Sequence, residues 1–273
     1  MEIRNDKGFV KGLLIGASTV FLLIMLILPL VYVIYTALRE GWKVFVSSVA
    51  DEYAVKSILL TVKVTVITVI INSVFGIFAA WLITRFKFRG KKLISTLIDL
   101  PLTISPIIAG LIFVLTFGRQ SAIYPFLEKW GIQIIFAVPG IVLATIFVTF
   151  PFISREIIPV LTVKGTDEEE AAALMGANGF QIFTQITFPH IRWAFLYGVV
   201  LCSARAMGEF GAVSVLSGHL RGITNTMPLY IELLYQAFDF TGAFAMSAIL
   251  VVMALVILIL KNIFENSMKR SEG

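Results

Sequence analysis

Glu170-Ala171-Ala172-x3-Gly176-x9-Ile186-x-Phe188-Pro189 is a polar interlude between two long apolar windows, 134–154 and 193–217. That alternation decides the fold class. Hydrocarbon about 30 Å thick needs roughly 20 apolar residues in a helix that rises about 1.5 Å per residue. Working outward from the interlude gives six such windows: 12–36, 58–84, 97–117, 134–154, 193–217 and 243–261. They are continuously apolar, without the alternation of ~10-residue strands that a transmembrane barrel needs. The expectation is an all-α membrane protein of six transmembrane helices, one membrane domain over 1–273. Composition agrees, with 58% hydrophobic and 14% charged residues and a mean hydropathy of +0.94. The first window follows Arg4, Lys7 and Lys11, but it exceeds the h-region of a signal peptide, about 7–15 residues, and lacks a clear small-residue cleavage site. It is read as a retained helix.

Orientation follows from the short loops, where Lys and Arg mark the cytoplasmic side. With the N-terminus inside, the inner segments collect fourteen bases: Arg4, Lys7, Lys11, Arg85, Lys87, Arg89, Lys91, Lys92, Arg155, Lys164, Arg192, Lys261, Lys269 and Arg270. The outer segments hold six: Arg39, Lys43, Lys56, Arg119, Lys129 and Arg221. Both termini and the acidic run Asp167 to Glu170 are then cytoplasmic. This asymmetry accounts for the isoelectric point near 9.3. No basic stripe interleaved with aromatics appears outside the membrane flanks, so no nucleic-acid partner is implied.

Several chemistries are excluded. Cys202 is the only cysteine and His190 and His219 the only histidines, too few for a disulfide frame or a metal cluster. No G-x4-G-K-[ST] loop is present, so the chain does not hydrolyse ATP through that machinery. Energy must come from a partner or from an ion gradient.

The interlude has its own local logic. After the fourth helix, expected to end near Pro159, residues 163–177 read as a short capped helix. Thr166 is the expected N-cap with Glu169 at capping-box spacing, and the acidic first turn suits the positive end of the helix dipole. The alanines leave a low face that another protein can approach. Gly176 offers a C-terminal turn or close packing, and Pro189 is expected to start a new direction before Trp193 enters the membrane.

Two polar intrusions interrupt the apolar windows. Arg205 and Glu209, at i and i+4, share a helix face and can pair, which offsets a cost of roughly 2.5–3.5 kcal/mol per unpaired charge at the bilayer centre. They serve either as an interhelix clamp or, with Ser203, as the lining of a polar pathway in which Arg205 offers planar donors to an oxyanion. Asp99-Leu100-Pro101-Leu102-Thr103-Ile104-Ser105-Pro106 places two prolines in one window and frees carbonyls that protein or water must satisfy. Asp99, Thr103 and Ser105 are pathway candidates there, Asp99 being equally a plain interfacial carboxylate. Lys63 can snorkel. The outer link 217–229 carries His219, Arg221, Thr224 and Asn225, which could meet an anion or a delivery protein, or form an ordinary wet loop.

The spacing from Glu170 through Gly176 to Ile186 and Pro189 resembles the EAA signature of ABC importer permeases. The stretches 99–110, 204–219 and 221–228 look like the W-type permease subunits of sulfate/thiosulfate ABC importers, over most of the chain. The core Arg205-Ala206-x-Gly208-Glu209-Phe210-Gly211 is similar to molybdate and tungstate permeases as well, whereas Ser217-Gly218-His219-Leu220-Arg221-Gly222-Ile223-Thr224-Asn225-Thr226 points to sulfate. Met227 and Tyr230-Ile231-Glu232 depart from that family and leave the choice among these anions open.

The resemblance implies a type I importer-like permease of the bacterial inner membrane, paired with a sister permease in a heterodimer. It also implies ABC ATPase subunits that carry ATP and Mg, an extracytoplasmic sulfate-binding protein, and no bond chemistry or cofactor on this chain. Coupling would run through the segment 164–190 by way of Glu170, Ala171, Ala172, Gly176, Ile186 and Pro189. An ion-coupled anion carrier using Arg205 and Glu209, and a membrane-anchoring subunit, are the alternatives from other classes.

Overall fold

The computed structural model describes residues 7–269, with side chains from 10 to 263. Arg4, Arg270 and the side chains of Lys7 and Lys269, used above for orientation, lie outside the described residues. Every regular element among the described residues is a helix. They are α1 (Val10–Leu38), α2 (Trp42–Val49), α3 (Glu52–Arg85), α4 (Lys91–Thr103), α5 (Pro106–Phe117), α6 (Tyr124–Lys129), α7 (Val138–Lys164), α8 (Asp167–Leu174), α9 (Gly179–Met207), α10 (Gly211–Ser217), α11 (Met227–Gln236) and α12 (Phe240–Lys269).

Four helices are unbroken and apolar enough to cross a bilayer: Val10–Leu38, Glu52–Arg85, Val138–Lys164 and Phe240–Ile263. The six expected spans are reached only when two bent pairs each count as one. The window 97–117 is α4 and α5 meeting at 110°, and the window 193–217 is the end of α9 and α10 meeting at 50°. The interruption expected at the prolines of the third window is a full break, and the fifth window, expected as one helix, is broken too. Ser105-Pro106 opens α5 with proline in its first turn, where the missing N–H costs nothing, and Gly208 interrupts the other pair.

Prolines elsewhere do less than expected. Helix α7 does not end near Pro159 but runs to Lys164, closing at Gly165 with φ +69°. Pro189 does not turn the chain, because α9 is continuous from Gly179. A π turn at Phe183–Thr187 directly precedes it, just as a π turn at Leu23–Ile27 precedes Pro29 in α1. Both contain the residue four before the proline, whose carbonyl the ring would strike. The wider turn swings that carbonyl clear and keeps the helix going.

The helices gather into two compact units, the division falling within α11 and α12. The first comprises residues up to 51 with 231–249; inside it Tyr32 meets Phe244 edge-on at 6.0 Å and Thr241 Oγ1 donates to Glu40 Oε1 at 2.8 Å. The second comprises 52–230 with the remainder of α12. Its centre is Ile153, fully buried, where α3, α7 and α9 converge. A Cβ on Gly198 would lie 2.9 Å from the Ile153 Cα and one on Gly76 3.1 Å from its Cβ, so these two glycines permit the close approach that membrane helices use in place of a hydrophobic drive. Asn72 of α3 completes the junction, donating Nδ2 to Thr149 Oγ1 at 2.8 Å and to Cys202 Sγ at 3.7 Å.

Candidate functional site

Helix α8 and its flanks form one region of interest. The expected capping box at Thr166 and Glu169 is absent. Thr166 Oγ1 donates instead to Glu170 Oε1 at 2.7 Å, and Glu169 turns inward to other partners. A capping box does form twelve residues on, where Asn178 and Gln181 bond reciprocally at 2.9 Å in both directions to start α9. Gly176 ends α8 with φ +91°; its N–H donates to Ala173 and that of Ala177 to Ala172, each at 3.0 Å. A Cβ there would meet nothing within 4 Å, so the left-handed turn, rather than close packing, requires the glycine.

Ala172 is the buried contact of α8, whereas Glu170, Ala171 and Pro189 are exposed and Ile186 is half-buried in the π turn. Around them Leu174, Met175 and Phe180 are 90%, 83% and 77% exposed. An acidic helix ringed by uncovered large apolar side chains has the make-up of an interaction surface. His190 Nε2 lies 3.2 Å from Glu168 Oε2 at its edge.

Glu169, expected only as the partner of a Thr166 cap, bonds across to other helices instead. Arg85 Nε lies 2.8 Å from its Oε2, Arg85 Nη2 donates to its Oε1 at 2.9 Å and Thr187 Oγ1 donates to Oε1 at 2.8 Å. Nothing in the linear chain links residues 85 and 169; Arg85 had counted only as an orienting charge.

The second region is where the two bent pairs meet. A Cβ on Gly211 would stand 2.9 Å from the Pro106 Cβ, and one on Gly110 2.7 Å from the Ala212 carbonyl oxygen, so the break in one pair packs directly on the break in the other. Arg205 Nη2 and Glu209 Oε2 form the expected pair at 2.8 Å, Glu209 being 1% exposed and Arg205 34% in their side chains. Glu209 also accepts the Ala212 N–H at 2.9 Å, holding the bend between α9 and α10. The guanidinium therefore keeps an open edge while its counter-ion is fixed from behind.

Three of the other pathway candidates, Asp99, Thr103 and Ser203, are engaged. Asp99 pairs with Arg155 of α7 at 2.9 Å, both partly exposed. The hydroxyls of Thr103 and Ser203 donate to their own helix at Leu100 and Val199, and Ser105 is exposed at the break.

In the link 217–229, His219 and Arg221 are exposed, whereas Thr224 and Asn225 are buried. Thr224 Oγ1 donates to Ser217 O at 2.6 Å and accepts from the Leu220 N–H at 3.1 Å, so it staples the loop. Arg221 lies over the Tyr53 ring at 5.3 Å. Of the four candidates in this link, only the first two are accessible from outside the chain. Among the described residues no group of His, Cys, Asp and Glu could hold a metal.

Comparison with known proteins places this geometry in a family. The chain is 45% identical over 266 residues to the sulfate transport system permease protein CysW of Escherichia coli (strain K12), covering 96% of this chain and 91% of that one. It is also 45% identical to the protein of the same name from Synechocystis sp., covering 97% and 96%. A solved bacterial alginate ABC transporter, in complex with an alginate pentasaccharide-bound periplasmic protein, superposes with a TM-score of 0.80 over 96% of this chain and 95% of its own, at 19% identity, which establishes the fold alone. Residues 72–270 match the model of the binding-protein-dependent transport system inner membrane component, and with it the packed helix breaks and the acidic interlude find their place: the chain belongs to the family of binding-protein-dependent transport system inner membrane components.

Proposed function

We propose that this chain is the transmembrane permease subunit of an ATP-driven sulfate importer, with thiosulfate as a second cargo and molybdate or tungstate as the alternative. The observation that carries the proposal is the exposed apolar rim of Leu174, Met175 and Phe180 around an acidic helix, which suits docking of a separate ATPase on 164–190. That segment then lies in the cytoplasm, the link 217–229 faces outward, and a sister permease completes the pathway along the open edge of Arg205. The sulfate transport proteins that the chain resembles support the cargo.

In this mechanism ATP binding closes the ATPase pair and draws the coupling helices together. The bundle then opens outward, and an extracytoplasmic binding protein releases its anion near His219 and Arg221. Arg205 offers forked donors to a tetrahedral oxyanion without gripping it, since a deep well would slow release. Selectivity then resides in the delivery protein.

The test is reconstitution of the assembled complex in vesicles with internal ATP. Labelled sulfate delivered by its binding protein accumulates and stimulates ATP hydrolysis. If only molybdate with its own binding protein does so, the cargo changes and the importer reading stands. Anion movement by the permease alone down a proton gradient would replace both with the carrier reading.

A further inference from the structure

Four elements of the second unit meet at one ion pair. Arg85, the last residue of α3, donates Nη2 to Glu169 Oε1 of α8 at 2.9 Å, and its Nε lies 2.8 Å from Oε2. Its Nη1 donates to the Leu161 carbonyl near the end of α7 at 3.0 Å. Thr187, in the π turn of α9, donates to the same carboxylate at 2.8 Å. The side chains of Arg85 and Glu169 are 8% and 15% exposed. An orienting charge at a membrane surface has no need of this, because solvent and headgroups satisfy it. A water-poor pair whose guanidinium bonds Glu169 through Nη2 and the Leu161 carbonyl through Nη1 fixes direction as well as distance, and removing either partner strands the other charge.

The location gives the pair a task. Helix α8 is eight residues long and presents its apolar rim to solvent, so few contacts hold it to the bundle, and Glu169 supplies the most directional of them. Helix α3 is 34 residues long, a rod of about 51 Å at 1.5 Å per residue. One turn from its middle, Asn72 contacts Cys202, three residues before Arg205.

We propose that Arg85 and Glu169 are positioning residues that transmit displacement of α8 to α3, so that engagement of the docking partner moves the bundle around the Arg205–Glu209 bend. The inference rests on the reading of 164–190 as the ATPase-docking segment. It assigns the transmission to Glu169, which faces inward, and leaves docking to the outward residues Glu170 and Leu174.

The experiment compares Arg85→Gln, Glu169→Gln, Arg85→Lys and Leu174→Glu in the full complex, reading sulfate accumulated per ATP hydrolysed together with complex assembly. The two neutralised variants are expected to assemble and hydrolyse ATP while uptake per ATP falls about tenfold, equivalent to roughly 1.4 kcal/mol of lost coupling. Their double variant should be no worse than either alone, and Arg85→Lys, which keeps the charge without the guanidinium, should fall between. Unchanged uptake per ATP in the assembled Arg85 and Glu169 variants overturns the proposal. Should the neutral variants fail to assemble, Arg85→Lys and Thr187→Val decide in the same way, and unchanged uptake per ATP in both overturns it. Leu174→Glu tests the reading beneath: intact assembly and uptake in that variant removes the docking surface itself, whereas its failure beside normal Arg85 and Glu169 variants removes only the transmission.

Discussion

The N-terminal half of α3, around Thr61, and its C-terminal end, at Arg85, are held in opposite ways. At Thr61 the helix is tied to the start of α11 by neutral groups: the Met227 N–H donates to Thr61 Oγ1 at 2.8 Å, and that hydroxyl donates to Ser57 O at 2.8 Å. Val64, Ile141, Val213 and Leu229 pack beside it as a dry cluster. At Arg85, about 36 Å further along by helical rise, the same helix is held by an ion pair and a backbone carbonyl. Neutral bonds inside apolar packing have one low-energy arrangement and resist motion. An ion pair largely out of water joins two helices by a directional link, so that displacement of one is carried to the other. The neutral end therefore reads as an anchor and the charged end as the place where α3 is addressed.

The surface beside the charged end should give the largest effect. Leu174→Glu places an unpaired carboxylate in the apolar contact with the docking partner, a cost of several kcal/mol and a loss of complex on the order of 100-fold; a pull-down of the detergent-solubilised complex reads it. Gly176→Val should act in the same direction through the backbone, since a β-branched residue at φ +91° is strained by about 1–2 kcal/mol, and Gly176→Asn should be milder. Normal binding of the partner by Leu174→Glu would end the contrast between the two ends.

Between the ends lies the Arg205–Glu209 pair. A thermal-unfolding cycle with Arg205→Met, Glu209→Gln and the double variant should give a coupling energy of about 1–3 kcal/mol, the double being less damaged than the summed singles. Strict additivity would mean that the two side chains act apart.

The anchor end should lose stability without losing coupling. Thr61→Val strands the buried Met227 N–H and should cost about 1–2 kcal/mol in unfolding, with uptake per ATP unchanged in the fraction that assembles. A drop in that ratio as large as for Glu169→Gln would show that α3 has no passive end.

The smallest effect belongs to Arg221, exposed and laid over Tyr53. Arg221→Gln should cost about 0.5 kcal/mol of stability and slow uptake mainly at low ionic strength, where long-range attraction of an anion is least screened. A salt-independent loss would point to a contact with the anion itself.

Length and hydropathy alone determined the class: helices about 20 apolar residues long have no other home, and every expected window contains helix. The Arg205–Glu209 pair was equally legible, because i,i+4 neighbours on one helix meet whatever the tertiary packing. At Gly176 the sequence left a turn or close packing open, and a φ of +91° with open space around it decides for the turn. What failed was what depends on distant partners. The third and fifth windows bend by 110° and 50°; the prolines mark the first break in the sequence, but the angle is held by what packs on it, here Pro106 against Gly211. Prolines 159 and 189 did not break their helices, because backbone adjustment and neighbouring helices absorb a missing hydrogen bond. Glu169 left its expected cap for Arg85, a residue 84 positions away, since a charge-assisted bond largely out of water outweighs a local cap exposed to it. Local rules thus set which segments are helical and which neighbours pair, while tertiary structure decided which charges meet and where helices bend, because those outcomes compare energies between groups that sequence distance does not order.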